Sequence, residues 1–276
     1  MILTIWAAAS PKININMKTI HKKLTTLLVL VVLSISTLYA QNKHFTKSGT
    51  IEFEKSANMY ALLRKEINKD NETYMANVYD AYKRNNPQFK KLKSTLTFGD
   101  NKTLFTPIAE ENNPQYWGNR AIVGQNNVVF TDLNTDKTVA QKKVFEETFL
   151  LRDSTRRIKW KITSETRNIA GYECRRANAL VLDSIYVVAF YTDEIPVSGG
   201  PESFCGLPGM ILGVALPHDN ITWFATRVTE TNVPPASLNA PAKGKAVDRK
   251  TFMTTVKNAM KDWGEYAQGI LKAVML

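Results

Sequence analysis

Apolar and polar positions change period three times along this chain. Residues 49–54 alternate, with Ile51 and Phe53 on one side, and predict a first strand. From Ser56 the period becomes helical. Met59, Leu62, Leu63 and Ile67 recur at three- and four-residue spacing, as do Tyr74, Met75, Val78, Tyr79 and Tyr82. Asn68 to Asn71 separates the two runs, Asn71 or Thr73 caps the second, and Pro87 stops it. From Lys91 to Val228 period two returns. Strands are expected over 93–98 and 102–106 about Gly99-Asp100-Asn101, and over 127–132 and 138–145 about Leu133 to Asp136. Residues 147–151 continue or bend the last of these. Further strands follow at 157–163, with Ile158, Trp160 and Ile162 on one face, then 171–182, 184–192, 210–216 and 220–227. After a Pro-rich connector (233–245), Phe252, Met253, Val256, Met260 and Trp263 form a second helical stripe, with Asp248 as N-cap. The pattern predicts a β-rich α+β fold: a curved antiparallel sheet, meander or half-barrel, packed by an N-terminal helical segment and a C-terminal helix.

The N-terminal end has a different character. Residues 17–40 place Lys18, Lys22 and Lys23 before an apolar run from Leu24 to Leu38, with Ala40 preceding Gln41. This is the three-part pattern of a secretory signal peptide. Residues 1–16 read as an upstream extension, and 41–276 as one exported domain without a membrane span. The expected location is the periplasm, or an outer-membrane-associated or extracellular one. The formal charge of +11 falls to +7 once the four lysines of the first 40 residues are removed. Those charges are dispersed, without the aromatic motifs of nucleic-acid recognition. Lys250, Lys257 and Lys261 give the last helix a solvated face, or alternatively a membrane-facing one. Cys174 and Cys205 are an even pair in an oxidising compartment, consistent with one disulfide or with two buried thiols.

Candidate chemistry is sparse. His44 and His218 are isolated, and no HExxH, GxSxG, phosphate-loop or dinucleotide motif occurs. The sequence nominates no catalytic residue, metal ligand or cofactor. Residues 196–213 (PVSGGPESFCGLPGMILG) stand out instead, with five glycines and three prolines leading into an apolar run. Pro196 ends ladder pairing, Gly199-Gly200 turns the chain, Pro201 stiffens it, and Leu207-Pro208-Gly209 reads as a type II turn. Gly200, Pro201, Gly206, Leu207, Pro208, Gly209, Met210, Ile211 and Leu212 form the structural motif. Tyr172, Glu194, Phe204, Leu207 and Pro208 are candidate binding residues, and Glu194 is the first acid to test. Such a loop suits either a preformed binding surface or a structural cross-connection.

GLPGM at 206–210, followed by Ile211-Leu212, resembles the signature of the GLPGLI family of exported Bacteroidetes proteins, with Met210 replacing leucine. The resemblance continues in Trp160-Lys161-Ile162 with Glu165-Thr166, and in Ile169 to Cys174 with Ala177. It continues again in Phe190-Tyr191-Thr192, Ile195-Pro196, Gly200-Pro201 and Phe204, where Phe190 replaces the usual Trp. It implies export and envelope association, and it carries no catalytic residue over. The expected function is non-catalytic binding of an apolar ligand or an envelope partner. Alternatives are a carboxylate-dependent envelope hydrolase and an assembly factor that pairs through a sheet edge.

Overall fold

A computed structural model describes residues 44–109, 121–124 and 127–276, with Lys18, His21, Lys22 and residues 24–28 before them. Contacts divide the chain into Met1–His44 and Phe45–Leu276. In the first unit the described residues before His44 are helical. Most of the expected signal segment, including its cleavage position, lies outside the described residues.

Among the described residues of the second unit, twelve strands form one sheet. They are β1 (Gly49–Asn58), β2 (Phe89–Gly99), β3 (Lys102–Pro107), β4 (Val128–Asp132), β5 (Lys137–Val144), β6 (Glu147–Ser154), β7 (Lys161–Ile169), β8 (Tyr172–Val181), β9 (Ile185–Thr192), β10 (Met210–Leu216), β11 (Ile221–Glu230) and β12 (Lys245–Val247). Their order is β12-β6-β5-β4-β3-β2-β1-β11-β10-β9-β8-β7. Two antiparallel meanders, β1 to β6 and β7 to β11, are joined where β11 pairs with β1. The expected curved sheet with helices is present. β12, which the sequence pattern does not reveal, adds parallel to β6.

Connectivity forces the curl. Ten strand spacings separate β6 from β7, about 48 Å in a flat sheet. Residues 155–160 link these two strands and reach about 25 Å at full extension. The sheet must therefore bend until its two ends approach. This link also corrects the sequence expectation. Residues 157–160 are not strand, and β7 begins only at Lys161 and runs on to Ile169. The alternating Ile158 and Trp160 pack on the core from a connector, and the Trp160 Nε1–H donates to the Cys205 carbonyl (2.9 Å).

The longer helices lie before β2 and after β12 in the chain. α1 (Met59–Arg64) starts at Asn58, whose side chain accepts from the Ala61 N–H (3.1 Å). α2 (Glu72–Asn85) presents Tyr79 and Tyr82 edge-on to Tyr60, so two of the three tyrosines form a packing stripe. Asn71 holds the N-cap position of α2, but its side chain turns back to Asn68 and Glu66. The single turn α3 (Ala121–Gly124) follows β3. At the C-terminal end α4 (Arg249–Ala259) is capped by Asp248, which accepts from the Thr251 N–H (2.6 Å). Gly264, at φ 54°, then redirects the chain into α5 (Glu265–Met275), a second C-terminal helix not expected from sequence. Phe252 of α4 packs edge-on against Phe149 of β6.

Candidate functional site

The connector from β9 to β10, residues 193–209, crosses the inner face of the curled sheet. Ile195, Val197, Phe204, Cys205 and Leu207 are buried. Its path is held by backbone bonds from Gly206 to Ser198 (3.1 Å), Met210 to Ile195 (3.0 Å) and Ile211 to Gly199 (2.8 Å), and by the Ser198 hydroxyl on the Leu207 carbonyl. Phe204 meets Trp223 of β11 edge-on, at 6.3 Å between ring centres. The turn at Leu207-Pro208-Gly209 is tighter than type II, because the Gly209 N–H closes on the Leu207 carbonyl (2.8 Å). Gly209 has φ 141°, and a Cβ there would lie 2.0 Å from the Thr192 carbonyl oxygen, so only glycine fits.

This path places the sequence-nominated residues as follows. Phe204 and Leu207 are core, as are Met210, Ile211 and Leu212, and they offer no surface to a partner. Gly200 and Pro201 are buried, while Gly206 and Pro208 are exposed. Tyr172 is half-buried, its hydroxyl 3.3 Å from that of Thr46. Glu194 is half-buried, and its carbonyl accepts from the Thr46 N–H (3.0 Å). Cys174 and Cys205 are not bonded to each other. Each is a buried free thiol, Cys174 on the Tyr172 carbonyl and Cys205 on that of Arg156. Burial, with Glu194 and Glu173 nearby, pushes the Cys174 thiol up to about 12.

The loop brings one unexpected group inward. Glu202 stands in the left-handed region at φ 54°, a costly conformation for a non-glycine residue. The residue as a whole is half-buried, but its carboxylate is enclosed and accepts from the side-chain amide of buried Asn127 (2.9 Å). Burial raises its pKa against the opposing pull of Lys55, Asn127 and Lys142. Both lysines belong to strands. Lys55 follows Ile51 and Phe53 in the inward register of β1, and Lys142 stands between Ala140 and Val144 in that of β5. Lys55 and Lys142 are 5% and 4% exposed, and burial lowers each pKa to about 8, less than it would without Glu202.

Each cation is tied to backbone at a chain end or turn. Lys55 Nζ donates to the Ile122 and Val123 carbonyls (2.8 and 3.0 Å) and lies 5.0 Å from the Trp223 ring centre. Lys142 Nζ donates to the Val274 carbonyl (2.8 Å), and Arg156 to those of Met275 and Leu276. The last carbonyls of a helix lack intrahelical donors, and the macrodipole makes them negative, so buried cations suit them. Two small cavities adjoin the cluster. One, about 10 Å³, is lined by Lys55, Ser94, Phe105, Glu202 and Trp223 among others. The other, about 30 Å³, lies between Lys142, Arg156, Ser203 and Arg249. Glu194 lines neither of them.

Residues 180–213 match a family described as a protein of unknown function, Porph_ging. The matched stretch is the end of β8, all of β9, the inner loop with Glu202, and the start of β10. No curated protein matches the chain. Among solved structures it is similar to PNGF-II in two crystal forms. One shows 18% identity and a TM-score of 0.47, the other 16% and 0.48, covering 76% and 75% of this chain. The chain spans about a third of the PNGF-II length, 33% and 32%. An uncharacterised conserved protein from Thermus thermophilus aligns over 78% of this chain and 99% of its own, at 5% identity and a TM-score of 0.36. Likenesses this distant carry no function across. The cluster also shows what sequence reasoning passed over. Lysines in the inward phase of alternating strands were the signal for Lys55 and Lys142, and an acid inside an otherwise apolar rigid loop was the signal for Glu202.

Proposed function

We propose that this chain is an exported cell-envelope protein of the GLPGLI type that binds a macromolecular partner without bond-making chemistry, and that the partner adds a strand to β7. One observation carries this reading. β7 ends the sheet, and among the described residues no strand pairs with its outer side, although it is nine residues long with Lys161 to Asn168 exposed apart from half-buried Thr163. An edge of this length is a template for an incoming extended segment. Neither cavity described above, of about 30 and 10 Å³, has the size that an apolar ligand needs.

The edge is built for a foreign strand rather than for its own copy. Its ladder to β8 slips between Ile162 and Thr166, which bends the strand. Glu165 pairs with Arg176 of β8 (2.6 Å), and Arg167 lies 4.7 Å from the Phe224 ring centre. Bulges and charges suppress self-pairing of flat edges, so the matching segment is an extended one with complementary charge.

A photo-crosslinking residue placed at Thr163, compared with one at exposed Lys257, tests the reading in envelope fractions of the native host. The expected result is one adduct of defined mass at Thr163 only, on a protein whose mature N-terminus is Gln41. Equal adducts at both positions, or none at Thr163, refute the edge; an unprocessed N-terminus refutes export. A carboxylate hydrolase is the second reading. The enclosed Glu202 beside two lysines of lowered pKa favours it, with Glu202 in place of Glu194 as the acid. The water-sized cavity beside Glu202 weighs against it.

A further inference from the structure

The larger cavity combines three cations with one buried donor that the fold leaves unmade. It is lined by Lys142, Arg156, Ser203 and Arg249, with Asp153 and Ser154 at its rim and Val274 and Met275 closing one side. Three cations face it against one lining acid, Asp153, which is engaged by the Arg249 Nε–H at 2.9 Å, and the Ser203 hydroxyl donates to the Leu276 main-chain oxygen that Arg156 also holds. We infer that this cavity is a binding site for a small oxyanion, a carboxylate or phosphate group.

Four observations carry the inference. The first is an unused donor. Arg156 spends Nη2 on the Met275 and Leu276 carbonyls, while its buried Nη1 has no partner among the described residues. A guanidinium presents its donors in a planar fork matched to two oxygens of an oxyanion, and a buried donor left unmade is costly. The second is charge. Burial is the largest cause lowering the pKa of Arg156 and of Lys142; Arg249 adds to it at Arg156, and at Lys142 both arginines add to it against the opposing pull of Glu202. An anion among them would relieve that repulsion. The third is size: about 30 Å³ is roughly two water positions, enough for a carboxylate or the tip of a phosphate. The fourth is access. The Arg249 and Asp153 side chains are 39% and 30% exposed, and Ser154 is exposed, so the rim reaches solvent while Lys142 at the base is buried.

The site lies beside the chain link between the two meanders, on the β5–β6 side. Arg156 and Ser203 come from the β6–β7 link and the inner loop, Lys142 from β5, and Arg249 from the start of α4. An anion held there would bridge four separate segments, and binding would stabilise the folded state by mass action.

The test uses the full exported chain with sodium phosphate and sodium acetate as probes, at ionic strength held constant with sodium chloride. Wild type is expected to show a saturable rise in Tm and a single-site isotherm by titration calorimetry. Response to phosphate alone assigns a phosphoryl group, and response to acetate assigns a carboxylate. Arg156→Lys removes the fork but keeps the charge, and is expected to weaken binding about tenfold or more, the scale of one charge-assisted hydrogen bond. If Arg156→Lys fails to fold, Arg249→Gln at the half-exposed rim gives the same readout with a smaller loss, about threefold. The inference is overturned if wild type responds to phosphate and acetate no more than to chloride. It is equally overturned if folded Arg156→Lys or Arg249→Gln binds as tightly as wild type.

Discussion

Three glycines of the inner loop separate two physical costs that are usually measured together. At Gly206, φ is 92°, and an added Cβ would find only the Trp160 Nε1 at 3.8 Å. Gly206→Ala therefore costs backbone strain alone, about 1–2 kcal/mol. Gly200 has an ordinary φ, but its Cβ would meet the Ile211 Cβ and the Phe204 carbonyl oxygen, both at 2.8 Å. Gly200→Ala costs overpacking alone, about 1–3 kcal/mol. Gly209 carries both burdens: φ 141°, and a Cβ 2.0 Å from the Thr192 oxygen and 2.8 Å from its carbonyl carbon. Backbone atoms of a paired strand cannot swing away as a side chain can. Gly209→Ala should thus exceed either of the other two, at about 4 kcal/mol or more, and lower Tm by roughly 8–16 °C in a domain of this size. Urea unfolding with a common m-value, supported by Tm, measures all three. A Gly209→Ala variant destabilised no more than Gly206→Ala would refute the reasoning, because the loop would then yield without disturbing β9.

Stability should rise with pH between about 8 and 10.5 through Lys55 and Lys142. Their folded pKa of about 8 lies below the ordinary 10.5, so in that window the unfolded chain binds more protons, and the cost relieved is about 3 kcal/mol per lysine. Urea unfolding at pH 7.5 and 9.5 should show this gain in wild type and a flatter response in Lys55→Met and Lys142→Met; identical slopes in all three contradict it. Phe204→Ala should cost about 3–5 kcal/mol, because the ring is 1% exposed against Trp223, and a loss below 1 kcal/mol by the same unfolding would return Phe204 to the surface. Native protein should yield no fast-reacting thiol with Ellman's reagent and two after denaturation, with Tm unchanged by reductant; a Tm that falls on reduction would restore the disulfide.

Much of the sheet was legible because period two survives wherever one strand face is buried. Ile51 and Phe53, Leu96 and Phe98, and Val187 and Ala189 mark the inner face directly. Residues 161–169 were not legible as a strand beyond Thr163. An edge strand exposed on both faces needs no alternation, and only Ile169 of β7 is buried. The nearby alternation of Ile158 and Trp160 came from a connector that packs on the core and mimics a strand. α5 was hidden because Gly264 ends the stripe that Trp263 closes. The rigid loop was visible, but its direction was not: Phe204 and Leu207 read equally well as anchors for a partner or as core, and only the curl of the sheet decides which. The buried cations were missed for the opposite reason. A lysine in a strand is ordinarily a solvated residue, and its burial becomes intelligible only once the carbonyls of Ile122, Val123 and Val274 arrive from elsewhere in the chain.

That last point explains why an apolar interior holds so much charge. A curled open sheet leaves a concave face that its own strands cannot fill, and here α3, the inner loop and the end of α5 are brought in to fill it. Each arrives with backbone carbonyls that no ladder satisfies, and unpaired polar groups in such a place cost about 1–3 kcal/mol each. Apolar side chains in the inward register would leave those oxygens orphaned. Lys55, Lys142 and Arg156 reach them from β1, β5 and the β6–β7 link, at the expense of desolvating three cations. Glu202, forced through a left-handed backbone to lie near Lys55 and Lys142, returns part of that expense. The donor left over is Arg156 Nη1, beside the larger cavity, whose rim of Arg249 and Asp153 reaches solvent. The packing problem posed by the sheet's curvature and the proposed affinity for an oxyanion therefore have a common origin, and a variant that relieved the first would be expected to abolish the second.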